Sequence, residues 1–322
     1  MTHLDMAGGP EFDRIRAIAR ALGSGAAPIG DDCALIPFGG EFLALSTDLT
    51  VEDVHFRRQW LTLDEIGWRA AASALSDLAA EAAEPIGLLA ALSLPAGTDD
   101  AAAAAIMTGM GAAAQSVGAE VLGGDLSRGP SLGIAATVVG RTRRPVTRAG
   151  AEPGDGVWVT GQLGGAGAAL QSLQRGESLT PEQHRFFARP EPRVAAGIWL
   201  AEYGARAMLD LSDGIAADAP HLAAASKVAI SIHLELLPCA DAVCQAGDRI
   251  GVAPEQFAAE GGEDYELLAA MPPSFTIEHA DQFTAVHGLP LTRIGEVAQG
   301  AAGATFLLHG APIRLSGFDH FA

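Results

Sequence analysis

The chain has 322 residues, 49% of them hydrophobic, enough for one large or two ordinary domains with real cores and too many for a disordered chain. Twenty Lys plus Arg against 39 Asp plus Glu give a formal charge of -19, which argues against a broad nucleic-acid footprint or an anionic membrane surface as partner. A phosphorylated small molecule remains compatible, because bound metal ions invert the local sign of an acidic site.

Residues 11 to 22 place Phe12, Ile15, Ile18 and Leu22 at helical spacing, predicting an opening amphipathic helix. A strand is expected at 42 to 48, then an Ala-rich helix at 63 to 83 with Trp68, Leu75 and Leu78 inside it and Asp77 interrupting its apolar run. Strands follow at 86 to 94, 119 to 122 and 132 to 140, with a helix around 99 to 117. The segment TRAGAEPGDG (147 to 156) collects Gly, Pro and acidic residues and marks a boundary, giving domains 1–147 and 148–322. Beyond it, strand VWVT (157 to 160), a Gly-rich turn, a helix from about 166, strand MLDL and a helix from about 214 repeat the alternation. The fold class is α/β or α+β in two domains.

The N-terminus, MTHLDMAGGPEF, lacks a basic region followed by an apolar stretch, and nothing approaches the roughly 18 apolar residues of a membrane span. Cys33, Cys239 and Cys244 have neither disulfide-framework nor zinc spacing. A cytoplasmic protein, free of membrane and nucleic acid, is the expectation.

Carboxylates recur beside Gly, Ser or Thr at the ends of apolar runs: IGDDCALIP, LALSTDLTVEDVHF, VLGGDLSRGP, MLDLSDG and EGGEDYELL. Clustered without partners they would repel, and a hard divalent cation such as Mg²⁺ with oxygen ligands resolves that. Each motif also has a plain alternative. Asp31 and Asp32 could make an Asx-type turn, Ser46, Thr47 and Asp48 a cap or turn, and Asp213 a helix cap. Asp77 is harder to explain away, since burying a lone carboxylate among Ala and Leu costs several kcal/mol and demands a partner, either a metal or a distant Arg. The glycines before Asp125, including Gly124, leave backbone N–H groups free for phosphate, or simply make a tight turn. Arg148 suits phosphate recognition or an interdomain ion pair. Ser212 lies on the same side of an extended chain as Asp210. In GGED, Glu263 has the logic of GGD, and His55 follows the STD loop. The stretch GQLGGAGAAL matches neither a dinucleotide fingerprint nor a P-loop, and Lys227 is the only lysine, so metals and arginines must carry phosphate charge.

Together, IGDDCALIP, LSTDLTVEDVHF, ALSDLAA, GGDLSRGP, TRAGAEPGD, LDLSDGIAAD, GGEDYEL and GFDHF resemble the thiamine-monophosphate kinase family, of the superfamily that includes aminoimidazole ribonucleotide synthetase. The resemblance implies phosphoryl transfer from ATP to thiamine phosphate, giving thiamine diphosphate and ADP. It implies an N-terminal domain that pairs in a homodimer to build a β-barrel, and a C-terminal α/β domain closing the site. It makes Asp32, Ser46, Thr47, Asp48, Asp77, Asp125, Asp210 and Asp213 ligands of several Mg²⁺ ions. Gly124, Asp125, Arg148 and Ser212 would contact ATP, and His55, Glu263 and Phe318 the thiamine phosphate. One departure is Glu81, where a Met is common. No general base is expected, because the acceptor phosphate, with a second pKa near 6, is already ionised. A superfamily enzyme with another acceptor, a metal-dependent phosphohydrolase and a nucleotide-binding protein without turnover remain the alternatives.

Overall fold

The computed structural model describes residues 6–26, 29–318 and 321. Its first half contains α1 (Pro10–Leu22), β1 (Ala34–Phe38), β2 (Glu41–Val51), α2 (Leu63–Ala80), β3 (Glu84–Leu94), α3 (Asp100–Ser116), β4 (Glu120–Arg128) and β5 (Gly133–Thr142). The strands form one open sheet in the order β1-β2-β5-β3-β4. One sheet face carries Ala44, Leu88, Ala90, Leu92, Ile134, Ala136 and Val138, which pack with Ile66, Leu75 and Leu78 of α2. The other face leaves Leu49 and Leu89 exposed.

The small residues of α2 and α3 let the helices meet backbone to backbone. A Cβ on Gly67 would lie 1.9 Å from the Ile106 carbonyl oxygen, and one on Gly109 would lie 1.8 Å from that of Asp64. Thr62 and Glu65 form a capping box that starts α2, satisfying donors that the first turn leaves unpaired.

The second half contains β6 (Gly156–Thr160), α4 (Gly165–Gln174), α5 (Pro181–Ala188), α6 (Val194–Glu202), β7 (Ala207–Asp210), α7 (Ile215–Ser226), β8 (Ala229–His233), α8 (Ala242–Ile250), α9 (Pro254–Glu260), β9 (Leu267–Met271), α10 (Ile277–His287), β10 (Leu291–Ala298), β11 (Gly303–Leu308) and β12 (Ala311–Ile313). Its seven-stranded sheet runs β12-β11-β8-β10-β6-β9-β7. Strands β6, β7 and β9 are buried along their whole length, as continuous apolar runs predict. Helix α2 also belongs to this half's packing: Ala79 and Ala80 share a core with Val194, Leu200 and Met208. A Cβ on Gly197 of α6 would fall 2.0 Å from the Ala79 carbonyl oxygen.

Three local expectations change. Strand β4 continues through Gly123, Gly124 and Asp125 to Arg128, so GGD lies inside a strand and is not a turn. The first residue of α7 follows Gly214, and no side chain caps it; Asp218 Oδ2 accepts the Asp213 N–H at 3.1 Å instead. In α1, Ile18 and Leu22 are 56% and 55% exposed, so the apolar stripe is only partly covered.

Candidate active site

Helix α2 presents Arg69, Ser73 and Asp77, four residues apart and therefore on one face, to a cavity of about 560 Å³. The first half adds Asp48 and His55 to its wall, and the second half adds Asp210, Ser212, Asp213, Glu263 and Phe318. A volume of this size accommodates ordinary small-molecule ligands. Strand geometry explains why Asp48 arrives there. Ala44, Ser46, Asp48 and Thr50 alternate onto the α2 side of β2, and Ser46 donates a short hydrogen bond to Asp77 Oδ2.

Oxygens of Asp32, Asp77 and Asp210 lie within 4.8 Å of one another. Burial pushes the Asp77 carboxyl well above its ordinary range, reinforced by Asp48 and Asp210. Burial, then Asp32, raises Asp210 to about 7, and burial is also the main cause of a raised Asp48. These groups resist ionisation because burial strips their charge of water and neighbouring carboxylates repel it. Arg148 is the nearby positive charge, bonding both oxygens of Asp32 through Nε at 3.2 Å and Nη2 at 2.5 Å.

His55 accepts the Val51 N–H on Nδ1 at 3.1 Å. Ser212 C=O accepts the Glu263 N–H at 2.7 Å, and Asp213 C=O accepts the Phe318 N–H at 3.3 Å, so these loops are tied together at the rim. Glu263 forms an ion pair with Arg69, whose guanidinium also lies 4.3 Å over the Phe187 ring. The neighbouring Asp264 turns away to accept the Gly164 N–H at 2.7 Å, fixing the Gly-rich turn that starts α4.

Thr47, Gly124 and Asp125 are not brought to this cavity. Thr47 points to the open face of the sheet, where its hydroxyl meets that of Thr137 at 2.9 Å. Gly124 pairs with Ala90, and a Cβ there would lie 1.8 Å from the Ala90 carbonyl oxygen. A register shift leaves Leu122 as an extra residue, so Asp125 pairs with Ala91; unbroken pairing would set it against buried Leu92. That bulge turns Asp125 onto the open face of an edge strand.

Two acidic residues outside the expected site residues stand behind the cluster. Asp31 and Glu81 each offer an oxygen within 4.8 Å of the other and of Asp32. Burial, then Asp31 and Asp32, pushes Glu81 up to about 10; the Cys33 amide is near enough to oppose this slightly without making a hydrogen bond. Arg69 and Ser73 were also readable as site residues, since they precede Asp77 by eight and four positions on one helix.

Comparison with known proteins places the chain in a family. Residues 30–142 match the AIR synthase related protein N-terminal domain and residues 152–307 its C-terminal domain. The thiamine-monophosphate kinase of Escherichia coli (strain K12) is 36% identical over 325 residues, spanning 97% of this chain and 96% of the relative. The chain belongs to the thiamine-monophosphate kinase family. A second thiamine-monophosphate kinase, from Aquifex aeolicus (strain VF5), is 34% identical over 315 residues, covering 97% of this chain and 98% of its own length. The solved structure of AaThiL complexed with AMPPCP and TMP superposes with a TM-score of 0.86 at 32% identity, covering 97% of each chain.

Proposed function

We propose that this chain transfers the terminal phosphoryl group of ATP to thiamine phosphate, giving thiamine diphosphate and ADP. The observation that carries this reading is the convergence of Asp48 and Asp77 from one half with Asp210 from the other on a single cavity. The family relatives, and the complex of AaThiL with AMPPCP and TMP, supply the substrates.

The residues present fit Mg²⁺. The donors are all oxygens, three carboxylates crowd within 4.8 Å, and two of them, Asp77 and Asp210, are raised by burial and then by neighbouring carboxylates. Asp32, Ser46, Asp48, Asp77, Asp210 and Asp213 would hold such ions, with Thr47 and Asp125 contributing from the open face. Bound Mg²⁺ supplies charge neutralisation between two polyanions and a template for in-line approach. The chain's own part is positioning. Gly124, Arg148 and Ser212 serve ATP: a phosphate that takes Arg148 from Asp32 frees that carboxylate as an oxygen ligand. His55, Glu263 and Phe318 serve thiamine phosphate, the last two because a carboxylate and an aromatic face attract a cationic thiazolium ring. No side chain needs to remove a proton, since the acceptor oxygen is already ionised.

We assign ATP and Mg²⁺ binding and dimerisation to residues 1–147 and closure of the site to residues 148–322. The exposed Leu49 and Leu89 on the open sheet face favour a homodimer in which two such sheets close into a barrel. A partner so placed brings Asp125 to a site that it does not reach in its own chain. Three free cysteines suit a reducing cytoplasm; among the described residues no helix is long and apolar enough to cross a membrane.

ADP release is to be measured with Mg²⁺ and ATP, with and without thiamine phosphate. Release that requires thiamine phosphate and is nearly abolished by Asp48→Asn is expected. Equal release without acceptor would favour a phosphohydrolase and overturn the assignment.

A further inference from the structure

Glu81 ends α2 with its side chain entirely buried, and among the described residues neither carboxylate oxygen has a hydrogen-bond partner. An unpaired buried carboxylate is among the most costly groups a fold can hold. The side chain is nonetheless aimed at two more acids, with an oxygen within 4.8 Å of Asp31 and Asp32. Asp31 Oδ1 is occupied by the Arg148 and Asp32 N–H groups, at 3.0 and 3.2 Å. Both oxygens of Asp32 carry the Arg148 guanidinium. Fully ionised, the three carboxylates would face one guanidinium with an excess of two negative charges. Among the described residues no donor forms a hydrogen bond with Glu81 to balance it, the Cys33 amide acting on it only weakly.

We infer that Asp31, Asp32 and Glu81 form a second cation site, taking one hard divalent ion separate from those of the catalytic cavity. The donor set is oxygen only. A mutual spacing within 4.8 Å lets three oxygens touch a single ion, because metal–oxygen distances run from about 2.0 Å for Mg²⁺ to about 2.6 Å for Ca²⁺. The site lies behind the cavity: Asp31 and Glu81 take no part in its lining. It joins the end of α2, the segment leading into β1 and the connection that carries Arg148. An ion there is structural, holding Asp31 and Asp32, and through the Arg148 N–H bond to Asp31 the main chain at residue 148, in place whether or not nucleotide is present. The inference does not depend on the identity of the phosphoryl acceptor.

The test is Mn²⁺ binding to the full-length protein without nucleotide, by equilibrium dialysis and electron paramagnetic resonance. Glu81→Gln is expected to bind one Mn²⁺ per chain fewer than wild type and to lose part of the Mn²⁺-dependent rise in melting temperature. Glu81→Met, which replaces the carboxylate with an apolar chain of similar length, should behave the same way and covers the case of an unfolded Gln variant. Asp77→Asn should instead lose ions of the catalytic cluster and keep this one. If both Glu81 variants bind as many Mn²⁺ as wild type with unchanged affinity, the site does not exist, and a proton shared between Glu81 and Asp31 accounts for their contact. Failure of thiamine phosphate as acceptor would leave these stoichiometries untouched, so the two readings fall separately.

Discussion

Arg69 of α2 pairs with Glu263, a residue held in the left-handed region at φ 66°, and so links the helix that carries Asp77 to the loop expected to meet thiamine phosphate. Arg69 is 2% exposed, whereas the Glu263 side chain keeps contact with the cavity. Removing the acid strands a buried cation. Glu263→Ala should therefore cost about 3–5 kcal/mol in urea unfolding, and more than Arg69→Met, which leaves only the more accessible partner alone. Equal losses would show that the pair adds nothing beyond packing.

Asp125 offers a test of assembly. If it serves a neighbouring subunit, inactive Asp48→Asn and inactive Asp125→Asn chains should complement when mixed and allowed to exchange. About half of randomly paired dimers would then be mixed and carry one complete site, restoring about a quarter of wild-type ADP release. No recovery after verified exchange would place both residues in the same subunit's site.

The contact between α2 and α6 should be intolerant of one methyl group. In Gly197→Ala, the new Cβ would stand 2.0 Å from the Ala79 carbonyl oxygen, a backbone atom that cannot rotate away. Overpacking of this kind costs about 1–3 kcal/mol, and the upper end is expected here from denaturant midpoints. Gly176→Ala, in open space but at a positive φ, provides a milder control with a backbone cost alone.

His221 fixes α1 to the second half: its Nδ1 accepts the Ala7 N–H at 3.2 Å and its ring lies 3.9 Å from that of Phe12. Burial, helped by Arg148 and Arg16, lowers its pKa to about 3. The folded state thus binds fewer protons than the unfolded chain between about pH 6.5 and 3, so this contribution is complete above pH 6.5 and is lost as pH falls. Acidification from pH 7 to 5 should cost about 2 kcal/mol through this residue. In His221→Phe that part of the pH dependence should vanish; an unchanged slope would assign it elsewhere.

Much of the site was legible because its carboxylates end apolar runs, and those runs became strands and one buried helix. Asp48, Asp77 and Asp210 needed only that pattern and the cost of burying charge. Asp125 shows where the pattern stops. Its facing depends on the single extra residue at Leu122, and no feature of VLGGDLSRG announces whether a strand counts straight through or slips by one. Glu81 was visible as an unusual acid in an Ala-rich helix, yet its proximity to Asp31 arises from the chain's return after more than forty residues. The Arg69–Glu263 pair spans still more sequence, from α2 to the GGED loop.

The seam between Ala79 and Gly197 restricts how the molecule can move during turnover. With α2 pressed against α6 through main-chain atoms, a rigid swing of one half against the other would pull apart contacts that have no slack. Opening and closing around substrate would instead come from the rim, where the 212–213, 263 and 318 segments meet through the Glu263–Ser212 and Phe318–Asp213 main-chain hydrogen bonds.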